Sequence, residues 1–138
     1  MKTMFMIRTL MMHASALALV SLLLHSALHA QAYPSRPVRW IVPYATGGLA
    51  DTRARQIAQE LTKLWGKPII IENKPGAGAV PGTDFVTKAA PDGYTIGMGN
   101  LAPLAVNPSL YGTLPYDPIK DVAPIVLLER GPLVLMAT

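Results

Sequence analysis

Cysteine is absent from this 138-residue chain, and histidine is nearly so. The three histidines, His13, His25 and His29, all precede residue 33. No disulfide framework or cysteine-ligated zinc site can therefore form. Beyond residue 33 there is no imidazole for acid–base chemistry either. Charge is sparse at 14% of residues, and no basic run interleaved with aromatics suggests nucleic acid. Arg36 with Arg39, and Arg53 with Arg55, read as solvated surface charges.

What is present begins with a leader. Lys2 and Arg8 flank the start, Ala14–Leu24 is an apolar run, and Ala30-Gln31-Ala32 is a small-x-small site. That is the order of a secretory signal peptide cut after Ala32. The rival, a membrane anchor, needs about 20 apolar residues, roughly twice this run. No Cys follows the run to carry a lipid. Two of the cations lie in the leader, so the formal charge of +4 falls to +2 on cleavage. A soluble, exported product is expected.

From Tyr33 the pattern alternates. Val38–Val42 predicts a strand closed by Pro43. Ala54, Ile57, Ala58, Leu61, Leu64 and Trp65 repeat at helical spacing and predict a helix over Leu49–Trp65, stopped by Gly66 and Pro68. Residues 68–73 carry three consecutive isoleucines, which predicts a strand buried on both faces. A second glycine-rich turn, Lys74–Gly82, leads into a helix over 80–89 with Phe85, Val86 and Ala89 inward, and Pro81 tolerated in its first turn. Pro91-Asp92-Gly93 is a turn, and residues 94–99 a third strand.

Two βαβ units result, with right-handed crossovers on one parallel sheet. Ligands of such sheets bind at the carboxyl ends of the strands, where Tyr44–Asp51, Lys74–Gly82 and Asn100–Pro103 gather. Later segments predict a short helix within 101–111 interrupted at Asn107-Pro108, a loop over 112–121, a strand at 122–128 and another at 133–136. The sequence ends inside an apolar run and reads as unfinished.

The organising stretch is Trp40–Asp51. A strand running through Gly47-Gly48 into a helix leaves first-turn N–H groups without partners and aims the positive end of the helix dipole at the gap. This predicts a carboxylate seat built from Tyr44, Ala45, Thr46, Gly47 and Gly48, with Gly78 and Asn100 on adjoining loops. Asp51 is a candidate contact through water or a ligand amino group. It equally suits the first helical turn as a partner for Arg55 at i+4. Trp40 and Trp65 are core candidates. The glycine-rich turn 76–82 offers an alternative, a dinucleotide pyrophosphate site. Its spacing is not G-x-G-x-x-G, and no acid lies near 98–100 to hold a ribose. No cofactor, metal cluster or nucleophile–base pair is expected, so binding rather than catalysis is anticipated.

Several stretches together resemble the tripartite tricarboxylate transporter substrate-binding proteins, the Bug or TctC-like family. They are Tyr33-Pro34-Ser35-Arg36-Pro37-Val38-Arg39, then Ile41-Val42-Pro43-Tyr44 with Gly47-Gly48 and Asp51, then Ile71–Gly78 and Ala90–Thr95. Asn107–Tyr111 with Leu114–Pro118 and Lys120-Asp121 completes the set. The resemblance implies the α/β parallel-sheet lobe of a two-lobed periplasmic-binding-protein fold, truncated. It divides the chain into a signal peptide (1–32), a first lobe (33–121) and a crossover strand opening a second lobe (122–138). It further implies a periplasmic receptor for a small organic carboxylate, which it delivers to membrane permease subunits, or uses for sensing in some members. The family's usual Gly-Ala-Gly-Gly is Gly76-Ala77-Gly78-Ala79 here, and members are considerably longer. A truncated remnant that binds nothing is the remaining alternative.

Overall fold

The computed structural model describes residues 33–131. The leader, and the strand expected at 133–136, lie outside the described residues. The chain divides into two units, Met1–Ser35 and Arg36–Thr138. Every helix and strand among the described residues belongs to the second.

Three strands form one parallel sheet: β1 (Val38–Val42), β2 (Ile69–Asn73) and β3 (Thr95–Gly97), in the order β2-β1-β3. Val38 pairs with Ile69 and Val42 with Asn73, while Arg39 pairs with Thr95 on the other side. Helix α1 (Leu49–Trp65) joins β1 to β2, and α2 (Val80–Thr87) lies between β2 and β3. Beyond β3 come a wide helical turn at Ala102–Val106 and the short α3 (Asn107–Leu110).

Local chemistry explains α1. Ala54 and Ala58 face inward and join Trp40 and Val42 in the buried cluster, against which Ile57, Leu61, Ile69, Ile71, Ile96 and Met98 pack. Gly66 ends the helix in the left-handed conformation (φ 64°) and returns its N–H to Thr62, the termination the sequence predicts. Leu64, expected in the inward stripe, is 77% exposed. It sits in the last turn of α1, one residue before Trp65.

The triple isoleucine also departs from expectation. β2 is an edge strand, and Ile70 on its far face is 47% exposed. The face of the sheet opposite α1 is met by the two turns of α2, too short to cover every strand. The expected burial of β2 on both faces is therefore corrected. β3 is shorter than predicted, Asn107-Pro108 opens a helix rather than interrupting one, and residues 122–131 make no strand. Ile125, Val126, Leu127 and Leu128 are exposed there, with no strand partner among the described residues.

Helix α2 is held close by one residue. A Cβ on Gly82 would meet Pro43 Cβ at 2.6 Å, Pro43 Cα at 2.9 Å and the Lys74 carbonyl at 2.9 Å. Two of these neighbours are backbone atoms that cannot swing away. Gly82→Ala should destabilise the protein by about 1–3 kcal/mol, as overpacking does. Gly112→Ala, with nothing within 4 Å of the added carbon, should stay within about 0.5 kcal/mol. Equal urea midpoints for the two variants would contradict this packing.

Candidate functional site

Strand order places the site. The chain leaves β1 through α1 toward β2, then returns past β1 to β3. β1 and β3 are therefore neighbours whose connections diverge, the point where open parallel sheets admit ligands. The loop after β1 (residues 43–48) and the loop after β3 (residues 98–101) flank that gap.

The first loop is a worked corner. Gly47 adopts φ 84°, a conformation L side chains resist, and Gly48 donates to the Ala45 carbonyl at 3.3 Å. Gly48 itself is extended (φ −73°) and caps α1 without a side chain, so no side-chain acceptor covers the helix's first N–H groups. A Cβ at Gly48 would come no closer than 3.4 Å to any neighbouring atom. Ala45, Thr46, Gly47, Gly48 and Leu49 are all exposed.

Asp51 is buried, 2% exposed. Its Oδ2 accepts from the Gly47 N–H at 2.9 Å and from Arg55 Nε at 3.0 Å, and its Oδ1 from Asn73 Nδ2 at 3.0 Å. Arg55 adds Nη2 at 2.9 Å to Oδ1, completing the i+4 pair expected from the sequence. These bonds, the Arg55 guanidinium foremost, then the Gly47 amide and Asn73, lower the Asp51 pKa to about 2. The carboxylate is thus spent on the chain itself, and it takes one amide from the seat. Of the two roles open to Asp51 in the sequence, the structure shows the pairing with Arg55, together with a hold on the loop at Gly47.

The other candidates are Tyr44, at the start of the first loop, and Asn100 and Gly78 on the other two. Tyr44 is partly buried; its hydroxyl has no hydrogen bond of ordinary geometry among the described residues. Burial raises its pKa, and the adjacent Asn100 side chain draws it back. Tyr44 and Asn100 therefore meet across the β1/β3 gap. Asn100 is exposed and accepts the Ala102 N–H at 3.0 Å, closing a turn. Nearby, the buried Tyr116 hydroxyl donates to the Pro103 carbonyl at 2.9 Å.

Gly78 lies on the loop after β2. It is left-handed (φ 62°), and an added Cβ would meet the Asn107 amide at 3.2 Å and the Tyr111 hydroxyl at 3.4 Å. Asn107 Nδ2 donates to its carbonyl at 2.8 Å. Ala77 (φ 39°) and Ala79 (φ 71°) flank it, also left-handed, which costs about 1–2 kcal/mol per alanine. The glycines of this loop serve contacts of chain with chain, Gly82 on Pro43 and Gly78 on Asn107. A pyrophosphate cradle would need them free. Asn73 and Asn107, which pin the first two loops, went unrecognised among the sequence candidates. Their only signal was an asparagine at a strand end and another before a proline.

Away from the gap, a cavity of about 510 Å³ lies between α2 and the start of β1. Its cations are engaged: Arg39 binds Glu72 at 2.7 and 2.8 Å, Arg36 binds Asp92 at 2.8 Å, and Lys88 binds Asp84 at 2.6 Å. We assign it no ligand. Among the described residues no group of acidic side chains could hold a metal.

The Asp51 network carries a pH dependence. A carboxyl whose folded pKa (about 2) lies below its unfolded value (3.8) adds stability above pH 3.8 that is lost as pH falls toward 2. The melting temperature should drop over that interval, and Asp51→Asn should flatten the drop while lowering stability at pH 7. A wild-type-like acid profile for the variant would refute the assignment.

Comparison with known proteins gives concordant results. The family model described as tripartite tricarboxylate transporter family receptor matches residues 53–138. That match begins within α1, beyond the Gly47-Gly48 corner. BugT of Bordetella pertussis is 43% identical over 108 residues, covering 78% of this chain and 33% of its own. The solved structure of MatC from Rhodopseudomonas palustris with bound malate is 44% identical with a TM-score of 0.61, covering 64% of this chain and 30% of that one. An R. palustris protein solved with adipate is 36% identical with a TM-score of 0.61, covering 63% and 29%. The chain spans about a third of the length of the curated relatives it matches.

Proposed function

The chain belongs to the tripartite tricarboxylate transporter receptor family, and from that premise we propose that it carries the carboxylate-gripping lobe of an extracytoplasmic solute receptor. Its ligand is a small organic acid, passed on to the permease subunits of a tripartite tricarboxylate-type transporter. The leader through Ala32 directs it to the periplasm and is removed there. Residues 33–121 are the first lobe, and 122–138 lead into a second. Nucleic acid is no partner, and the role is capture rather than conversion.

One observation carries this reading: a 17-residue helix starts at the β1/β3 gap with a glycine cap and no side-chain acceptor. Backbone N–H groups and the helix dipole together favour an anion at that place. Asp51 does not cancel the attraction, since Arg55 neutralises it at 2.9 Å. Tyr44 and Thr46 belong to the loop that leads into the helix, and Asn100 to the loop across the β1/β3 gap. The solved relatives with malate and adipate hold dicarboxylic acids, the ligand class such a seat suits.

Within this chain the seat is open on its outer side, because residues 45–49 are exposed. A carboxylate there competes with water, so affinity should be on the order of millimolar. Titrating the full chain with malate or adipate should shift the amide resonances of Leu49, Ala50 and Asp51. The dimethyl ester of malate should leave them in place. Micromolar affinity would refute the open seat, and equal shifts with the ester, or none with either acid, would overturn the proposal.

A further inference from the structure

The corner between β1 and α1 depends on a residue outside both. Asn73 closes β2, and its side chain reaches three points of the corner. Nδ2 donates to the Tyr44 carbonyl at 3.0 Å and to Asp51 Oδ1 at 3.0 Å, and Oδ1 accepts Arg55 Nη2 at 3.1 Å. An amide has two N–H donors and one carbonyl. Every one is used, and only one orientation of the amide satisfies all three partners.

The bond to Tyr44 continues the sheet by other means. Val38 donates to the Pro68 carbonyl, and Lys74 donates to the Val42 carbonyl at 2.9 Å. A parallel ladder would next bring the Gly76 N–H to the Tyr44 carbonyl. The chain turns away at Pro75 instead, and Gly76 takes φ 123°. Asn73 Nδ2 supplies the missing donor. The loop is thereby held in strand-like register for two residues beyond the strand, and Gly47 is brought to Asp51.

We infer that Asn73 is the positioning residue of the carboxylate seat: it touches no ligand, but fixes the Tyr44–Gly48 loop so that the first amides of α1 stay uncovered. This rests on the receptor reading for its consequence, though not for its geometry. No other side chain replaces it. Aspartate keeps the shape but has no donor, and sets a second carboxylate against Asp51 and the Tyr44 carbonyl. Glutamine is one methylene too long.

The test uses Asn73→Asp in the full chain. At pH 7.5, amide exchange at Gly47 and Gly48, the hydrogen-bonded amides of the loop, should quicken by about tenfold or more, while that of β1 stays within about threefold. Malate binding should weaken by about tenfold, and both effects should recede near pH 5, where the two carboxyls share a proton. Wild-type protection at Gly47 and Gly48, referred to the intrinsic exchange rate at each pH, should stay constant between pH 5 and 7.5, and variant binding is compared with wild type at the same pH. Uniformly faster exchange throughout the chain would mean a merely structural role and overturn the inference, as would wild-type exchange at Gly47 and Gly48. Should Asn73→Asp fail to fold, Asp51→Asn with Asn73→Asp restores one carboxylate and one amide facing Arg55. That double variant should protect Gly47 again while leaving the Tyr44 carbonyl without its donor, so exchange at Gly48 stays fast; full protection at both would refute the inference. If wild type takes neither malate nor adipate, the receptor reading falls, and the exchange results alone decide the role of Asn73.

Discussion

A single buried carboxylate organises the loop between β1 and α1. Asp51 sits in the first turn of α1, where an acid suits the helix dipole, but it turns toward Gly47 instead of the helix amides. A buried charge is tolerable only with its full set of partners in place. Gly47, Asn73 and Arg55 must therefore be positioned together or not at all. The protein's own anion settles the loop, while the helix start keeps a glycine cap without a side-chain acceptor. Arg55 is consumed in the same network, so the mouth offers dipoles rather than a free guanidinium.

The second loop answers to closeness. Gly82 lets α2 rest directly on Pro43, and Gly78 lets Asn107 lie against the left-handed turn. The first contact ties α2 to the loop after β1, and the second ties α3 to the loop after β2. A glycine-rich stretch between strand and helix looks the same in sequence whether it admits a phosphate or another piece of backbone. Only the neighbours distinguish the two, and here they are Pro43, Lys74 and Asn107.

The elements legible in the sequence were those specified locally. β1 and α1 have the predicted bounds because a proline, an apolar stripe and a terminal glycine all act within a few residues of the boundaries they set. What depended on sheet order was not legible. Ile70 looks buried in a run of isoleucines and is exposed because β2 is an edge. The apolar segment at 125–128 reads as a strand, yet strandedness needs a partner, and propensity alone cannot supply one. At the site, the Gly47-Gly48 corner was visible as a motif. The Asn73 bond to Tyr44 spans 29 positions and leaves no local trace. Asp51 fell between: its pairing with Arg55 follows from spacing, its burial does not.

The central position of β1 has a consequence for synthesis and export. Both of its neighbours come later in the chain, at Ile69 and Thr95, and parallel pairing waits for each crossover to close. Until then Val38-Arg39-Trp40-Ile41-Val42 is an apolar, β-prone segment with both edges bare, the kind that seeks strands on other molecules. A nascent polypeptide of this design cannot shield its most adhesive stretch early. Its passage to the folded state is a race between its own later strands and those of its neighbours.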